Sequence, residues 1–202
     1  MLNDLIDLLI EIPLSIFSRD NNLRRKFKKT PTAKILKAES NIKIIGIIQK
    51  NESLYSAPLT KRPCLGFDIL VQRSTSDGVE DYIEDCKSVN FILKTDLGNV
   101  QIVAKNATIY LNKDYETSSG ILKDPTKEIV KLLSIHKKSA TSFGLNKSLL
   151  FKEGIIKQGD KISIYGKGKW ITTKETKEKT FRMVPMKEAP LYIMNHEDCF
   201  KK

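Results

Sequence analysis

The sequence lacks most of the short motifs that mark an enzyme. It contains no Walker loop and no GxGxxG, GxSxG or HExxH motif, so nucleotide-dependent and common hydrolase chemistry have no support. Cysteine is scarce as well, because Cys64, Cys86 and Cys199 are widely spaced and odd in number. A disulfide scaffold needs a denser, even set of cysteines. We therefore expect reduced thiols in a cytoplasmic setting.

Acidic residues are in the minority. The chain has 24 Asp and Glu against 35 Lys and Arg in 202 residues, a formal net charge of +11, while its 40% hydrophobic content is ordinary for a globular protein. The excess predicts attraction to an anionic surface, which would be nucleic acid, acidic protein or phospholipid. The alternative is a lysine-rich surface that is merely solvated.

The first 33 residues are interpreted as an amphipathic helix and a basic linker. Apolar residues recur at helical spacing over residues 1–17 and include Leu5, Leu9 and Ile16. Pro13 should bend or end the helix. A basic cluster follows, with Arg24, Arg25 and Lys26 at its start. This segment would lie on an anionic membrane surface, or it would pack on its own domain or on a second copy through residues 1–17. The early acids of the segment argue against a cleaved signal peptide.

Residues 34–195 are predicted to form one mainly β domain, an OB-like small barrel with one internal helix, followed by a charged tail at 196–202. Alternating apolar residues predict strands at 42–49 and 65–73 and a hairpin over 89–104. Residues 125–138 have a helical apolar stripe, with Asp124 as the expected N-cap. The Pro-rich stretch 56–67 is predicted to cross the surface between two strands.

Several stretches, in order, resemble one known family. They are SAPLTKRPCLGF (56–67), FILKTDLGNV (91–100), EGIIKQGDKISIYG (153–166) and APLYIM (189–194). Together they are similar to the GIDE-type, "beside a membrane" domain of Mulan-type mitochondrial ubiquitin ligases and bacterial relatives. The resemblance implies a domain that contacts protein partners near a membrane. The RING of those ligases, with its Cys-x-x-Cys pairs, has no counterpart here, so ligase activity is not implied.

Two kinds of chemistry, a thiol nucleophile and a metal site, are alternatives to simple packing of the cysteines. Cys64 follows Lys61 and Arg62, which would lower its pKa and suit a thiol nucleophile, but a packed cysteine at a loop-to-strand joint is the competing interpretation. The residues His196 and Cys199 are of metal-binding types, yet they form a single cluster where zinc sites need three or four ligands. We expect no catalytic residue, metal or cofactor.

A second class of function is nucleic-acid binding. An OB-like barrel can stack bases on aromatic side chains in a basic groove, and one predicted hairpin combines the only tryptophan with many cations. Its main candidates are Lys167, Lys169 and Trp170. The alternative places Trp170 in the core and leaves the lysines solvated.

These observations favour a non-catalytic module that binds another protein, in the cytoplasm or peripherally on the inner face of a membrane. The expected contact residues are Lys61, Arg62, Cys64, Lys167, Lys169 and Trp170. Membrane or partner contacts are expected from Leu5, Leu9, Ile16, Arg24, Arg25 and Lys26, with self-association through residues 1–17 as a corollary. Single-stranded nucleic-acid binding and a Cys64-dependent enzyme remain the alternatives.

Overall fold

The computed structural model describes residues 14–49, 54–142, 144–172 and 178–200, and side chains only from residue 22 onward. The helices are α1, Leu14–Lys29, and α2, Lys127–Ile135, with a short 3-10 helix at Glu197–Phe200. The strands are β1 Ile42–Ile48, β2 Tyr55–Ser56, β3 Pro63–Cys64, β4 Gly66–Thr75, β5 Gly78–Ser88, β6 Phe91–Thr95, β7 Gly98–Ile102, β8 Thr108–Tyr110, β9 Tyr115–Ser119, β10 Thr141–Ser142, β11 Leu145–Asn146, β12 Leu149–Ile156, β13 Lys161–Gly166, β14 Gly168–Thr172, β15 Lys179–Met183 and β16 Tyr192–Met194.

The strands form two principal sheets. One has eight strands in the order β14-β15-β7-β6-β1-β13-β16-β8, and the other has four in the order β5-β4-β12-β9. The mainly β prediction is confirmed. The finer expectation of a barrel is not met by the described strands, because β14 and β8 form the two ends of the larger sheet and do not pair with each other.

Two apolar cores lie on these sheets, and one strand pair contributes to both. The larger core includes Leu65 and Ile156. The second core lies between the four-stranded sheet and α2 and includes Phe67 and Phe151. Leu65 N–H donates to the Ile156 carbonyl at 2.8 Å, so the β4–β12 pairing runs from one core into the other. One end of the β4–β12 pair is therefore packed into the core of the eight-stranded sheet, while the rest of the pair packs against α2.

The internal helix is confirmed, with a different start. Helix α2 buries Ile129, Leu132 and Leu133, the stripe that the sequence indicates. Its N-cap is Thr126, whose hydroxyl accepts a hydrogen bond from Ile129 N–H, and not Asp124. The helix covers one face of the four-stranded sheet rather than plugging a barrel.

The basic segment near the N-terminus is helical and docked, which corrects the expected linker. Residues 24–29 are the last turns of α1, and Phe27 is fully buried. Lys43, also buried, donates from Nζ to the Phe27 carbonyl at 2.9 Å. Thr32 then makes a β-bridge to Lys43, so residues 30–33 belong to the fold as well. The burial of Phe27 was not expected, because all five other residues of the segment 24–29 are cationic, a pattern typical of a solvated surface.

The expected charged tail is corrected in the same region. The 3-10 helix buries Cys199 beside Met194, with 3.9 Å between the two sulfur atoms. Together with Phe27 they form a third apolar cluster, packed against Tyr165 and Tyr192 of the larger sheet. Within the described ranges, none of the helices has the length and apolar character needed to cross a bilayer.

A glycine at the junction of the sheets provides a test of this packing. Alanine at Gly154 would place its Cβ 2.5 Å from the Asn112 carbonyl oxygen, a clash with backbone. We expect Gly154→Ala to lower the free energy of unfolding by roughly 1–3 kcal/mol in urea titrations. Gly120→Ala is the control, since its nearest neighbour would be 3.6 Å away, and it should be neutral or mildly stabilising. Equal effects of the two substitutions would contradict the close approach.

Candidate functional site

A buried carboxylate joins two of the four stretches quoted from the sequence, residues 56–67 and 153–166. Glu153 of β12 is fully buried, and its side chain accepts hydrogen bonds from Leu59 N–H at 2.8 Å and Thr60 N–H at 3.3 Å. The Thr60 hydroxyl donates to the same carboxylate. The turn at residues 57–61 presents its amide groups inward, and Lys61 there has a left-handed φ of 60°. Glu153 thus fixes the shape of the Pro-rich crossing.

Arg62 completes this network. Its guanidinium makes two hydrogen bonds to Asp114, at 2.6 and 2.9 Å, and lies 3.7 Å from Glu153. The hydrogen bonds between the two side chains favour the charged form of each, so they raise the pKa of Arg62 and lower the pKa of Asp114. Two of the predicted contact residues, Arg62 and Cys64, therefore stabilise the fold, while Lys61 stays exposed and donates to the Pro58 carbonyl.

Cys64 is buried, and its environment opposes ionisation. Burial is the largest cause, and the nearby Glu153 carboxylate adds to it, so that the pKa of the thiol rises from 9.0 to about 11. Arg62 lowers this pKa, but by less than the other two raise it. The expectation that Lys61 and Arg62 would activate the thiol is therefore wrong in direction. The alternative of a packed cysteine agrees with the geometry.

A cavity of about 720 Å³ lies over the outer face of the four-stranded sheet; we call it the β4 groove. The strand register places Leu70 of β4 between Glu84 of β5 and Lys152 of β12, with Glu116 of β9 next in the row. The opposite wall is the segment 107–113. Asp68 holds that wall, because its carboxylate accepts from Leu111 N–H at 2.9 Å and pairs with Lys113.

The β4 groove is acidic although the chain is basic. The charged side chains on the groove face are Asp68, Asp81, Glu84 and Glu116 against Arg24, Lys113 and Lys152, while the carboxylate of Asp85 faces His136 on the other side of the sheet. Four carboxylates and three cations leave a local excess of one negative charge. Its size lies within the range of ligand pockets, and its floor is apolar at Leu70. The groove can therefore receive a chain segment or small molecule that carries positive charge.

The Lys/Trp hairpin forms as predicted but lies at a sheet edge. Strands β14 and β15 pair with Trp170 opposite Phe181, and their rings meet edge to face at 5.2 Å. Trp170 remains 48% exposed, so its side chain is neither buried in the core nor fully surrounded by solvent. Lys169 is exposed on the opposite face of β14, and Lys167 is half-buried just before the strand. The structure thus keeps these residues accessible but apart from the Pro-rich crossing.

The N-terminal candidates divide into three groups. Leu5 and Leu9 lie outside the described residues, and Ile16 belongs to the part of α1 that precedes the described side chains. Arg24 and Lys26 contact the domain: an Arg24 guanidinium nitrogen lies 3.2 Å from His196 Nε2, and the Lys26 ammonium lies 4.7 Å from the centre of the Tyr165 ring. Arg25 is exposed.

No family model, curated protein or solved structure matches this chain.

Sequence reasoning missed the residues that build the β4 groove. The acidic residues of β5 disfavour a strand, and they were not linked to Leu70, because that link depends on strand register. His136 lies 3.3 Å from Asp85 across the helix–sheet interface, a second contact that spacing does not reveal. Among the described residues, no group of three or more His, Cys, Asp or Glu side chains is placed to hold a metal ion.

Removing the charge of Glu153 tests the central network. In Glu153→Gln an amide N–H₂ would face backbone donors, so we expect the free energy of unfolding to fall by roughly 3 kcal/mol. Hydrogen exchange should accelerate at residues 57–62. Glu116→Gln makes the same chemical change on the neighbouring strand, where the side chain is exposed and 3.8 Å from Lys152, and should cost less than about 0.5 kcal/mol. Similar losses in the two variants would argue against the network.

The raised pKa of Cys64 predicts a pH dependence. The folded state holds the thiol proton more tightly than the unfolded state, so this contribution to stability is complete below pH 9.0 and is lost as pH rises through about 11. Urea midpoints measured from pH 8 to pH 11 should therefore fall more steeply for the wild type than for Cys64→Ala. Parallel curves would show that Cys64 is not held as a thiol.

Proposed function

We propose that this chain is a non-catalytic binding module that recognises a segment of another protein in the β4 groove. The observation that supports this is the groove itself, about 720 Å³ with an apolar floor and an acidic rim on a chain of net charge +11. A partner segment with basic side chains beside an apolar one fits these surroundings, since Leu70 offers apolar contact and Glu84 lies next to it in the strand register.

The groove is preorganised for such a partner. Its floor is a β-sheet whose other face is packed by α2, and its wall is tied down by Asp68 through Leu111 and Lys113. A site on rigid strands needs little ordering when a ligand binds, which reduces the entropic cost of association. The net charge of the chain repels basic segments at long range. Binding of a basic segment would therefore require local complementarity.

The proposal extends to the fold family and the location. The GIDE-type resemblance, an OB-like relationship and action at a membrane surface rest on the quoted sequence motifs and on residues 1–17. Because α1 is docked through Phe27, a truncation meant to remove a membrane contact should start the chain at Leu14 and keep the helix. Removing residues 1–30 would take away part of a buried cluster.

Selection from a random dodecapeptide library tests the proposed function. Peptides retained by the wild type and not by Leu70→Arg should be enriched in Lys and Arg, because the substitution blocks the groove floor and adds positive charge. Leu145→Arg is the matched control, since Leu145 is 61% exposed outside the groove, and it should retain the same peptides. Thermal unfolding of both variants checks that they fold.

The proposal fails if no peptide distinguishes the wild type from Leu70→Arg. It also fails if the Leu145→Arg control loses the same peptides. Should Leu70→Arg not fold, Glu116→Lys makes a milder charge reversal at an exposed position on the same groove and should weaken the selected peptides at least threefold.

A further inference from the structure

We propose that the uncovered half of the outer face of the eight-stranded sheet binds the backbone of single-stranded nucleic acid. This surface, the cationic strip, is separate from the β4 groove and does not depend on the proposed function. It differs from the basic hairpin that the sequence suggests, because strand register adds cations from two distant strands. The strip consists of eight positions in two neighbouring rows: Lys169, Arg182, Gln101 and Ile92, then Asn99, Lys94, Ile47 and Lys161.

The register assigns these side chains to one face. Arg182 lies opposite Lys169 on one side and Gln101 on the other, while Ile47 lies between Lys94 and Lys161. The alternate positions of the same strands, such as Leu93, Val100 and Phe181, are buried in the larger core. The eight residues of the strip are therefore on the solvent side, and four of them are cations and none is an acid.

The dimensions suit a linear polyanion. The strip runs from β14 to β13, five strand steps in the sheet order, which at about 4.8 Å a step gives roughly 24 Å. A nucleic-acid strand places a phosphate roughly every 3.4 Å in helical geometry, so about seven phosphates span this length. The Arg182 Nε–H donates to Gln101 Oε1 at 2.7 Å, which holds the guanidinium on the sheet face. Arginine so placed is suited to bidentate phosphate contact.

An aromatic ring stands at one end of the strip. Phe200 of the 3-10 helix lies there, with its ring centre 5.1 Å from the Lys161 ammonium. Trp170 follows Lys169 at the other end, but its ring projects from the opposite face of β14 and packs on Phe181. Single-strand binders combine a basic track with rings on which bases stack. The position of Phe200 beside the cations favours nucleic acid over an acidic protein, which has less use for stacking.

The shape of the face argues against a flat membrane as the occupant. The other half of the same face is the row Lys43, Tyr165 and Tyr192, and α1 covers it, with the Phe27 and Tyr165 rings 5.9 Å apart. A helix is about 10 Å wide, so α1 rises above the strip as a step. A planar bilayer would meet α1 before it reached Lys94 or Arg182, whereas a flexible single strand can lie in the recess.

The experiment is fluorescence anisotropy of the full chain with a labelled dodecathymidine at 50–300 mM salt. We expect Lys94→Gln/Lys161→Gln to weaken binding at least tenfold and to reduce the salt slope by about 1.4, the change for two lost phosphate contacts on a single strand. The control pair Lys105→Gln/Lys131→Gln removes the same charge from exposed positions elsewhere and should change the dissociation constant less than twofold.

The proposal is overturned if the oligonucleotide does not bind saturably or if both lysine pairs weaken it equally, since that would be an effect of net charge alone. Flotation with vesicles containing 30% phosphatidylserine distinguishes a membrane. If Lys94→Gln/Lys161→Gln loses vesicle binding and keeps oligonucleotide binding, the strip is a lipid surface and the proposal is wrong. Leu70→Arg should leave oligonucleotide binding unchanged, which separates this result from that of the β4 groove.

Discussion

The structure depends on one buried carboxylate. Glu153 is separated by more than ninety residues from the backbone amides whose hydrogen bonds it accepts, and these bonds join the turn at residues 57–61 directly to β12. Burying a carboxylate costs several kcal/mol, and only good hydrogen bonds with a nearby cation offset that cost. The amides of Leu59 and Thr60 and the guanidinium of Arg62 supply both. The same strand pairs with β4 and β9, so the position of the turn is tied to the four-stranded sheet.

That arrangement explains why the Pro-rich crossing is structural. The amides of this loop point inward to a buried anion, and its arginine and cysteine contact groups within the fold. The sheets present further surfaces that are open to contact. The outer face of the four-stranded sheet remains open because α2 covers only its other side. On the outer face of the larger sheet, α1 and the 3-10 helix cover the half that includes Tyr165 and Tyr192, and the other half is open.

Local pattern predicted much of the fold, and tertiary pairing accounts for the errors. Strand β1, the β6–β7 hairpin and the buried stripe of α2 follow from apolar periodicity, which depends on neighbours in sequence. The acidic strand β5 goes against strand propensity and forms because Ile83 is buried by distant residues. The basic end of α1 suits a helix, but its docking on the domain depends on the burial of Phe27 by residues far along the chain. Residues 56–67 and 153–166 both stand out in the sequence, but the contact between them could not be predicted. Spacing along the chain does not reveal which backbone amides donate to a buried carboxylate.

Net charge alone was a poor guide to what each surface binds. At physiological ionic strength the screening length is about 8 Å, so a ligand in contact senses mainly the charges within that distance. In the β4 groove those charges are four carboxylates and three cations, whereas the strip has four cations and no acid among its eight positions. The overall +11 governs approach from a distance, and the strand register decides which side chains a bound ligand meets. A single basic protein can therefore present two surfaces of opposite preference, since neighbouring side chains on a sheet come from strands far apart in sequence.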